Sequence, residues 1–197
     1  PNLEYLKSTI NNIKNFLKPN QTIILESTSY PGTTREVLGK VLCKKFNIGT
    51  NFYLGFSSER INPGFNENSI NKIPKVVSGY STKCLKILKF FYKQSFKNIV
   101  AANNLEMAEF SKLLENIYRS VNIGFVNEMK LVADKMGLDI FEILKIAKTK
   151  PYGFHAFDPG PGVGGHCIPI DPNYLHWKAK KFGIDTKFIK LSEKINL

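Results

Sequence analysis

The sequence predicts an α/β part followed by an all-α part. Up to about residue 102, short apolar runs alternate with segments of helical periodicity, a pattern typical of a sheet covered by helices. After that point, residues 104–136 contain no proline and carry apolar side chains every three or four positions, which predicts one long helix. We therefore expect two domains in this chain of 197 residues, residues 1–102 and residues 103–197.

The first part is predicted to contain three helices and four strands. Helical spacing of apolar residues defines the helices, and compact apolar runs define the strands. The helices are expected at residues 3–17, 33–45 and 81–92, and the strands at residues 22–25, 52–56, around Val76-Val77 and at 96–101. Because strands that alternate with helices are usually parallel, we expect a parallel sheet. No Gly-x-Gly-x-x-Gly turn opens the chain, so we interpret this part as the second half of a doubly wound domain.

Polar loops follow two of the predicted strands. Glu26-Ser27-Thr28 comes directly after the strand at residues 22–25, and Ser57-Ser58-Glu59-Arg60 comes after the strand at residues 52–56. Ligand sites of open α/β sheets form at the carboxyl ends of the strands. Both loops are therefore candidates to line a ligand site.

The second part is predicted to be helical throughout. Asn103 with Glu106 is a capping-box pattern for the long helix, and Gly124 in its middle permits close approach of another helix. Asp139 with Glu142 predicts the start of the next helix, which is expected to end near residue 150. Two further helices are expected at residues 172–181 and 188–197.

A glycine-rich segment, residues 162–172, holds a cysteine just before a predicted helix. Asp171 is suited to cap that helix, and Pro172 is suited to its first turn. Cys167 is then expected ahead of the helix N-terminus, where the helix dipole favours the reactive thiolate. The alternative is a tight loop with an inert, buried cysteine.

Four polar residues of the long helix are spaced three or four positions apart and share one face: Glu109, Lys112, Asn116 and Arg119. Such spacing usually marks a solvated face with a Glu–Lys pair. The alternative is a catalytic role for Lys112.

The composition weighs against several classes of protein. The net charge is +12, but the lysines are dispersed and no groove-reading or stacking motif is present, so we expect no nucleic-acid partner. We find no apolar run long enough to span a membrane and no signal peptide, and we expect no membrane partner.

The spacing of the cysteines and histidines argues against disulfides and a metal site. Cys43, Cys84 and Cys167 show no paired spacing, which argues against a disulfide framework and for a reducing, cytoplasmic location. Cys43 and Cys84 fall in helical patterns and are interpreted as small core residues. The three histidines are scattered, so no metal site is expected.

Four motifs occur in a fixed order along the chain. They are Glu26-Ser27-Thr28-x-x-Pro31-Gly32, Ser58-Glu59-Arg60-Ile61-Asn62-Pro63-Gly64, Lys112-x-x-x-Asn116, and Gly164-Gly165-His166-Cys167-Ile168-Pro169-Ile170-Asp171-Pro172. Together they resemble the UDP-glucose/GDP-mannose dehydrogenase family, over nearly the whole chain. The run from Lys150 to Trp177 most resembles the branch that oxidises UDP-N-acetylhexosamines.

The resemblance implies a more specific architecture. Residues 1–102 would be the second half of a Rossmann-like NAD-binding domain, and residues 103–197 the central helical domain through which relatives form homodimers. The first half of the cofactor domain and the C-terminal domain that closes over the UDP moiety are absent from this sequence. We therefore expect a fragment that is inactive alone.

The implied reaction is the NAD-dependent twofold oxidation of C6 of a UDP-N-acetylhexosamine, best guess UDP-N-acetylglucosamine, to the uronate. Substrate alternatives are UDP-glucose, UDP-N-acetylmannosamine and GDP-mannose, and the non-enzyme alternative is a helical dimerisation module. The glucose branch has a second glutamate four residues after Glu59. Pro63 stands there in this sequence, which favours the N-acetylhexosamine branch.

The resemblance also implies catalytic roles. Cys167 would attack the aldehyde stage to form a thiohemiacetal and then a thioester. Lys112 and Asn116 would stabilise the oxyanion at C6. Asp171 would act with a water as general base, although a pure capping role remains the alternative for this carboxylate.

Further contacts are implied for the strand-end loops and the glycine-rich loop. Thr28 would help to hold the catalytic water and face the nicotinamide, and Glu59 would assist hydrolysis. Cofactor contacts are implied for Ser27, Thr28 and Ile170. Substrate contacts are implied for Glu59, Arg60, Lys112, Asn116, Phe157, Asp158, Pro159, Gly160 and Gly164.

Overall fold

The chain divides into two compact units, Pro1–Lys112 and Leu113–Leu197. In this computed structural model, residues 2–60, 72–165 and 168–196 are described. The first unit holds β1 (Thr22–Leu25), β2 (Tyr53–Ser57), β3 (Lys75–Gly79) and β4 (Ile99–Ala101), with α1 (Glu4–Ile13), a π-helical segment (Thr34–Gly39), α2 (Lys40–Leu42) and α3 (Thr82–Lys93). The long helix α4 (Leu105–Lys135) begins in the first unit, and α5 (Ile140–Ala147), α6 (Asp171–Lys180) and α7 (Lys187–Asn196) belong to the second.

The predicted order of an α/β part and then an all-α part is confirmed. The four strands fall where the apolar runs place them, although β4 covers only the last three residues of its run. The helix expected at residues 3–17 ends at Ile13, and the helix expected at residues 33–45 is wound as a π-helix over its first half. The proposed domain division at residues 102/103 stays a prediction.

The sheet is mixed, not parallel. Its strand order is β1-β2-β3-β4, with β1 parallel to β2 and β3 parallel to β4. The central pair, β2 and β3, is antiparallel, with Gly55 opposite Gly79 and Ser57 opposite Val77. Parallel neighbours need a crossover, usually a helix, whereas the segment between β2 and β3 carries Pro63-Gly64 early and Pro74 at its end. The sequence of this connection shows no helical pattern, and this was the evidence against a parallel β3 that the prediction did not use.

Two facing glycines let α3 pack on the sheet. A Cβ on Gly55 would collide with the Leu88 side chain of α3, and a Cβ on Gly79 would collide with the Leu85 backbone. Leu88 is fully buried there. The main core of the unit is an apolar cluster that includes Ile10, Leu25, Leu38, Leu42, Phe46, Phe52, Leu54, Phe56 and Val76.

Helix α4 is capped by a different residue from the one predicted. The Met107 N–H donates to Asn104 Oδ1 at 2.8 Å, so Asn104, not Asn103, caps the helix. The Glu106 carboxylate of the predicted capping box accepts from Arg35 Nε at 2.7 Å. Both asparagines are good capping residues, and the sequence alone does not choose between them.

The other helix starts test the remaining capping predictions. Asp139 caps α5 as predicted, since its Oδ1 accepts from the Phe141 N–H at 2.8 Å. Helix α5 ends at Ala147, three residues before the predicted end. Asp171 is the first residue of α6 and does not cap it, because no side chain provides a capping bond there.

The second unit has small apolar clusters on either side of α4. One joins Val126 and Ala133 to Ile140 and Leu144 of α5, and another joins Leu113 and Ile117 to Ile189 of α7. The backbone at Gly124 faces α7, where a Cβ would meet Asn196 Nδ2 at 3.2 Å. The close approach predicted from this glycine is therefore an approach between two helices of the same chain.

The predicted core position of two cysteines holds for one of them. Cys84 is buried, as predicted for a core residue, but Cys43 is exposed near the end of α2. No helix among the described residues is both long and apolar enough to cross a membrane.

Candidate active site

The loops after β1 and β2 lie at one end of the sheet, which we call the carboxyl edge. Glu26 follows the last residue of β1, and Glu59 lies two residues after the end of β2. Because β3 is antiparallel to β2, its first residue, Lys75, lies at this same edge. The structure thus adds a lysine to the polar loops that the sequence placed there.

Lys75 joins the two loop carboxylates. Its side chain is only 5% exposed, and Nζ lies 3.0 Å from Glu26 Oε1 and 3.6 Å from Glu59 Oε2. The Tyr92 hydroxyl donates to Glu26 Oε1 at 2.7 Å. A buried ammonium group needs such partners, since an unpaired buried charge is strongly unfavourable.

The two groups beside Lys75 titrate away from their ordinary values in opposite directions. Partial burial raises the pKa of Glu26, but hydrogen bonds from Tyr92 and Lys75 and the ammonium charge outweigh it, so the net shift of this pKa is downward. Burial and the adjacent Glu26 carboxylate raise the pKa of Tyr92. Tyr92 therefore stays a hydrogen-bond donor to an ionised Glu26 at neutral pH.

Glu109 of α4 is buried against the loop that follows β1. Its carboxylate accepts from the Gly32 N–H at 2.5 Å, the Thr34 N–H at 2.8 Å and the Thr34 hydroxyl at 2.6 Å. Burial raises the pKa of Glu109, and these hydrogen bonds offset part of that shift. The prediction of a solvated face with a Glu–Lys pair is therefore wrong for Glu109, which is 1% exposed.

The rest of the polar stripe on α4 is not uniformly solvated either. Lys112 is half-buried, Asn116 is buried, and Arg119 is exposed. Lys112 and Asn116 are one turn apart and project from the same side of the helix.

Asn116 and Asp171 come together in the second unit. The Asn116 amide donates to Asp171 Oδ2 at 2.5 Å, and both side chains are 4% exposed. This bond explains why Asp171 does not cap α6: its carboxylate turns to α4 instead. Two residues that are 55 positions apart and were both predicted to be catalytic thus form one buried polar pair.

The glycine-rich loop precedes Asp171 in the chain. Gly164 has a φ of 61°, a left-handed conformation that favours glycine, and nothing lies within 4 Å of where its Cβ would be. A cavity of about 190 Å³ is lined by residues 161–164 together with Ile168, Pro172 and the α7 residues Glu193 and Asn196. His166 and Cys167 lie outside the described residues.

The other predicted substrate and cofactor residues are placed as follows. The Gly160 N–H donates to Asn127 Oδ1 at 2.9 Å, and the Phe157 ring packs edge-on against Tyr118 at a centroid distance of 5.9 Å. Asp158 pairs with Lys148 at 3.5 Å, and Ile170 is exposed. In the first unit, Ser27 is exposed, Thr28 is half-buried, and Arg60 Nη1 donates to the Pro74 carbonyl at 3.0 Å.

Two buried hydroxyls at the carboxyl edge could hydrogen-bond to a ligand. Ser29 Oγ and Ser58 Oγ find no hydrogen-bond partner among the described residues. Both follow strand ends, where open α/β sheets bind nucleotides, and a buried hydroxyl without a partner is unfavourable. The polar groups present therefore fit a ligand such as a dinucleotide at this edge. The described part of the chain holds no group of three or more His, Cys, Asp or Glu side chains suited to a metal ion.

Sequence reasoning missed Lys75. It named Glu26 in a strand-end loop and Glu109 in the stripe with Lys112 and Asn116, but gave neither a role of its own. Lys75 gave no signal, since its position at the carboxyl edge depends on the reversed direction of β3.

Several known proteins are similar to this chain. A UDP-N-acetyl-D-glucosamine 6-dehydrogenase of Pseudomonas aeruginosa is 37% identical over 201 residues, covering 100% of this chain and 47% of the relative. A UDP-N-acetyl-D-mannosamine dehydrogenase of Methanocaldococcus jannaschii is 33% identical, covering 98% of this chain and 43% of the relative. The chain therefore spans about half the length of the curated relatives it matches.

Solved structures of nucleotide-sugar dehydrogenases are similar to this chain as well. The UDP-D-ManNAc dehydrogenase of Pyrococcus horikoshii superposes with a TM-score of 0.90 at 32% identity, covering 100% of this chain and 46% of that chain. The UDP-N-acetyl-mannosamine dehydrogenase Cap5O of Staphylococcus aureus gives a TM-score of 0.83 at 29% identity, covering 99% of this chain and 45% of that chain.

The family models account for both parts of the chain. Residues 1–96 match the NAD binding domain of the UDP-glucose/GDP-mannose dehydrogenase family, and residues 106–197 match its central domain. The Rossmann-like first part, the helical second part and the expected cofactor class, NAD, are thereby confirmed. The chain belongs to the UDP-glucose/GDP-mannose dehydrogenase family.

Proposed function

We propose that the chain is part of an NAD-dependent dehydrogenase that oxidises C6 of a UDP-N-acetylhexosamine twice, to the uronate. UDP-N-acetylglucosamine is the first choice of substrate and UDP-N-acetylmannosamine the second, since similar relatives carry each of these names. Pro63, in the place of the second glutamate of the glucose branch, makes UDP-glucose a weaker choice. The observation that carries the proposal is the buried Asn116–Asp171 pair.

The Asn116–Asp171 pair suits a covalent mechanism. An amide nitrogen has two N–H donors, and the bond to Asp171 uses one of them and fixes the orientation of the amide. The second N–H is then available for an oxyanion. With the ammonium group of Lys112 one turn earlier, α4 offers a cation and an amide donor of the kind that stabilises tetrahedral intermediates.

The remaining steps fall to residues assigned by their motifs. Cys167 attacks the aldehyde carbon to form a thiohemiacetal, and loss of a second hydride leaves a thioester. Asp171, as general base through a water, takes the alcohol proton in the first oxidation and assists hydrolysis of the thioester in the last step. Glu59 assists that hydrolysis.

The cofactor would be held at the carboxyl edge, by Ser27 and Thr28, with Ile170 from the glycine-rich segment. When bound, NAD supplies the hydride acceptor for both oxidations. The substrate is assigned to Arg60, Lys112 and the segment Phe157-Asp158-Pro159-Gly160 with Gly164. A homodimer through the helical part completes the proposal.

The test is an assay of the full-length protein with NAD⁺ and a panel of four substrates: UDP-N-acetylglucosamine, UDP-N-acetylmannosamine, UDP-glucose and GDP-mannose. We expect two NADH per uronate with one of the N-acetylhexosamines and much lower turnover with the other two sugars. Lys112→Ala is expected to lower turnover by about a hundredfold, the typical loss for an oxyanion donor. Lys135→Ala, at the far end of α4, is the control and should retain activity. One NADH per sugar, or no reaction with all four, would refute the proposal.

A further inference from the structure

We propose that Lys75 is a positioning residue, which holds the carboxylate of Glu59 in the orientation that thioester hydrolysis needs. This inference rests on the proposed function and adds a residue that none of the sequence motifs contains. Its basis is the cluster of Glu26, Glu59, Lys75 and Tyr92 at the carboxyl edge.

The first observation is that Lys75 is fixed, whereas Glu59 is not fixed by burial. The Lys75 side chain is 5% exposed and the Glu59 side chain is 49% exposed. The ammonium group lies over the Tyr92 ring at 5.2 Å and the Phe96 ring at 5.4 Å. Its pairing with Glu26 at 3.0 Å anchors it further. An exposed glutamate alone samples many rotamers, so a fixed cation beside it restricts the carboxylate.

The second observation is that both oxygens of Glu59 have defined partners. Oε1 accepts from the Arg60 N–H at 2.8 Å, and Oε2 faces Lys75 Nζ at 3.6 Å. The Arg60 side chain donates to the carbonyl of Pro74, the residue before Lys75, at 3.0 Å. The loop that carries Glu59 is thus attached at two points to the start of β3.

The third observation is how the lysine reaches this edge. In the register of β2 and β3, Ser57 lies opposite Val77, so continuing that register places Glu59 opposite Lys75. A parallel β3 would put its first residue at the other end of the sheet. The antiparallel pair is therefore what places a cation beside a carboxylate that the proposed mechanism uses.

The step that Lys75 serves is the hydrolysis of the acyl-enzyme. The oxygen of a water molecule bonds to the acyl carbon, the carbon–sulfur bond breaks to release the thiolate, and the proton of the water passes to the general base. Glu59 assists by accepting a hydrogen bond from that water. Lys75 touches neither the water nor the acyl group; it acts through Glu59.

The experiment uses the full-length protein with Lys75→Met, Glu59→Gln and the double variant. We expect each single variant to lower steady-state NADH production by about tenfold, a fraction of what a general base contributes. The pre-steady-state burst of NADH should stay near that of the wild type, while intact-protein mass shows an accumulated acyl-enzyme. Because Lys75 acts through Glu59, the double variant should be no slower than Glu59→Gln alone.

Matched variants separate positioning from structural damage. Lys75→Arg keeps the cation and should restore turnover to within about threefold of the wild type. Lys83→Met is the control, since Lys83 also lies over an aromatic ring, that of Tyr53 at 5.5 Å, but pairs with no carboxylate in the described residues. Should Lys75→Met fail to fold, Lys75→Gln takes its place.

Two kinetic outcomes would overturn the inference: wild-type turnover in Lys75→Met, or multiplication of the two single effects in the double variant. A cycle of the same variants by thermal unfolding, which needs no activity, should show coupled shifts in Tm at Lys75 and Glu59. Additive shifts in Tm would also overturn the inference. A full-length protein that shows coupled unfolding but oxidises no nucleotide sugar would refute the proposed function alone.

Discussion

At the scale of single residues, two carboxylates, Glu26 and Glu109, lie in opposite environments. Glu26 is half-exposed and ionised beside Lys75, whereas Glu109 is buried and accepts three donors from the loop after β1. A carboxylate with three donors ties the Gly32–Thr34 backbone to α4, one turn before Lys112. Glu109 is therefore expected to hold the loop after β1 in place and so to contribute to stability.

Glu109→Gln should destabilise the protein by about 1–3 kcal/mol, because an amide N–H replaces one acceptor and leaves a buried donor without a partner. Urea denaturation at neutral pH measures this. Glu106→Gln is the control on the same helix, since its partly exposed pair with Arg35 should cost less than about 1 kcal/mol. Equal losses in the two variants would contradict the role given to Glu109.

The stability difference between the wild type and Glu109→Gln should depend on pH. The folded-state pKa of Glu109 lies above its ordinary value of 4.5, so the folded state binds this proton more tightly than the unfolded state does. The stability due to that proton is present below about pH 4.5 and is lost as the pH rises through the raised pKa. The stability difference between the wild type and Glu109→Gln should therefore shrink from pH 5 to pH 8, and a difference that grew over this range would contradict the assignment.

Much of the candidate site was predictable residue by residue, but its contacts were not. The spacing of Lys112 and Asn116 placed both on one face of a helix, and the glycine-rich segment predicted a helix start near Asp171. No local pattern pairs Asn116 with Asp171, because the bond joins residues 55 positions apart through tertiary packing. Lys75 was missed for the same reason, since its neighbours come from two other strand ends and from α3.

At the scale of elements, β3 and β4 run opposite to β1 and β2, and this changes which side chains lie at the carboxyl edge. The strands themselves were predicted from apolar runs, which report burial but carry no information on strand direction. Direction depends on the connection, and the sequence before β3, bounded by Pro63-Gly64 and Pro74, carries no amphipathic helical pattern that would predict a crossover helix. The reversal brings Lys75 to the carboxyl edge.

The second unit leaves a broad apolar surface on α4 and α5. Large exposed apolar side chains include Leu114, Tyr118, Phe125, Leu131, Phe141, Ile143 and Ile146. An open, mainly apolar cavity of about 420 Å³ lies between these helices and residues 153–157. Exposed apolar side chains beside an apolar cavity are typical of a protein–protein interface, and a homodimer uses the same patch twice.

We therefore expect a homodimer through the helical part, measured by light scattering of the full-length protein at micromolar concentration. Phe125→Glu combined with Ile143→Glu should shift it to the monomer, because two charges would be buried at the interface. Phe188→Glu, on the exposed side of α7, is the control and should leave the assembly unchanged. A wild-type protein that stays monomeric at high micromolar concentration would contradict this expectation.

At the scale of the whole molecule, charge and length frame the proposal. A net charge of +12 is dispersed over the chain, which is typical of solvated surface lysines. The chain spans about half of the relatives it matches, so activity is to be measured in the full-length protein. What ties the two matched parts to one reaction is the proposed covalent role of Cys167.

The most direct test of that role is Cys167→Ala in the full-length protein, assayed for uronate and for the mass of the intact enzyme during turnover. Cys43→Ala, which removes an exposed cysteine of the first unit, is the matched control. We predict that Cys167→Ala forms no uronate and no acyl-enzyme, while Cys43→Ala keeps wild-type turnover and forms the adduct. Uronate formation at the wild-type rate by Cys167→Ala would contradict the covalent mechanism.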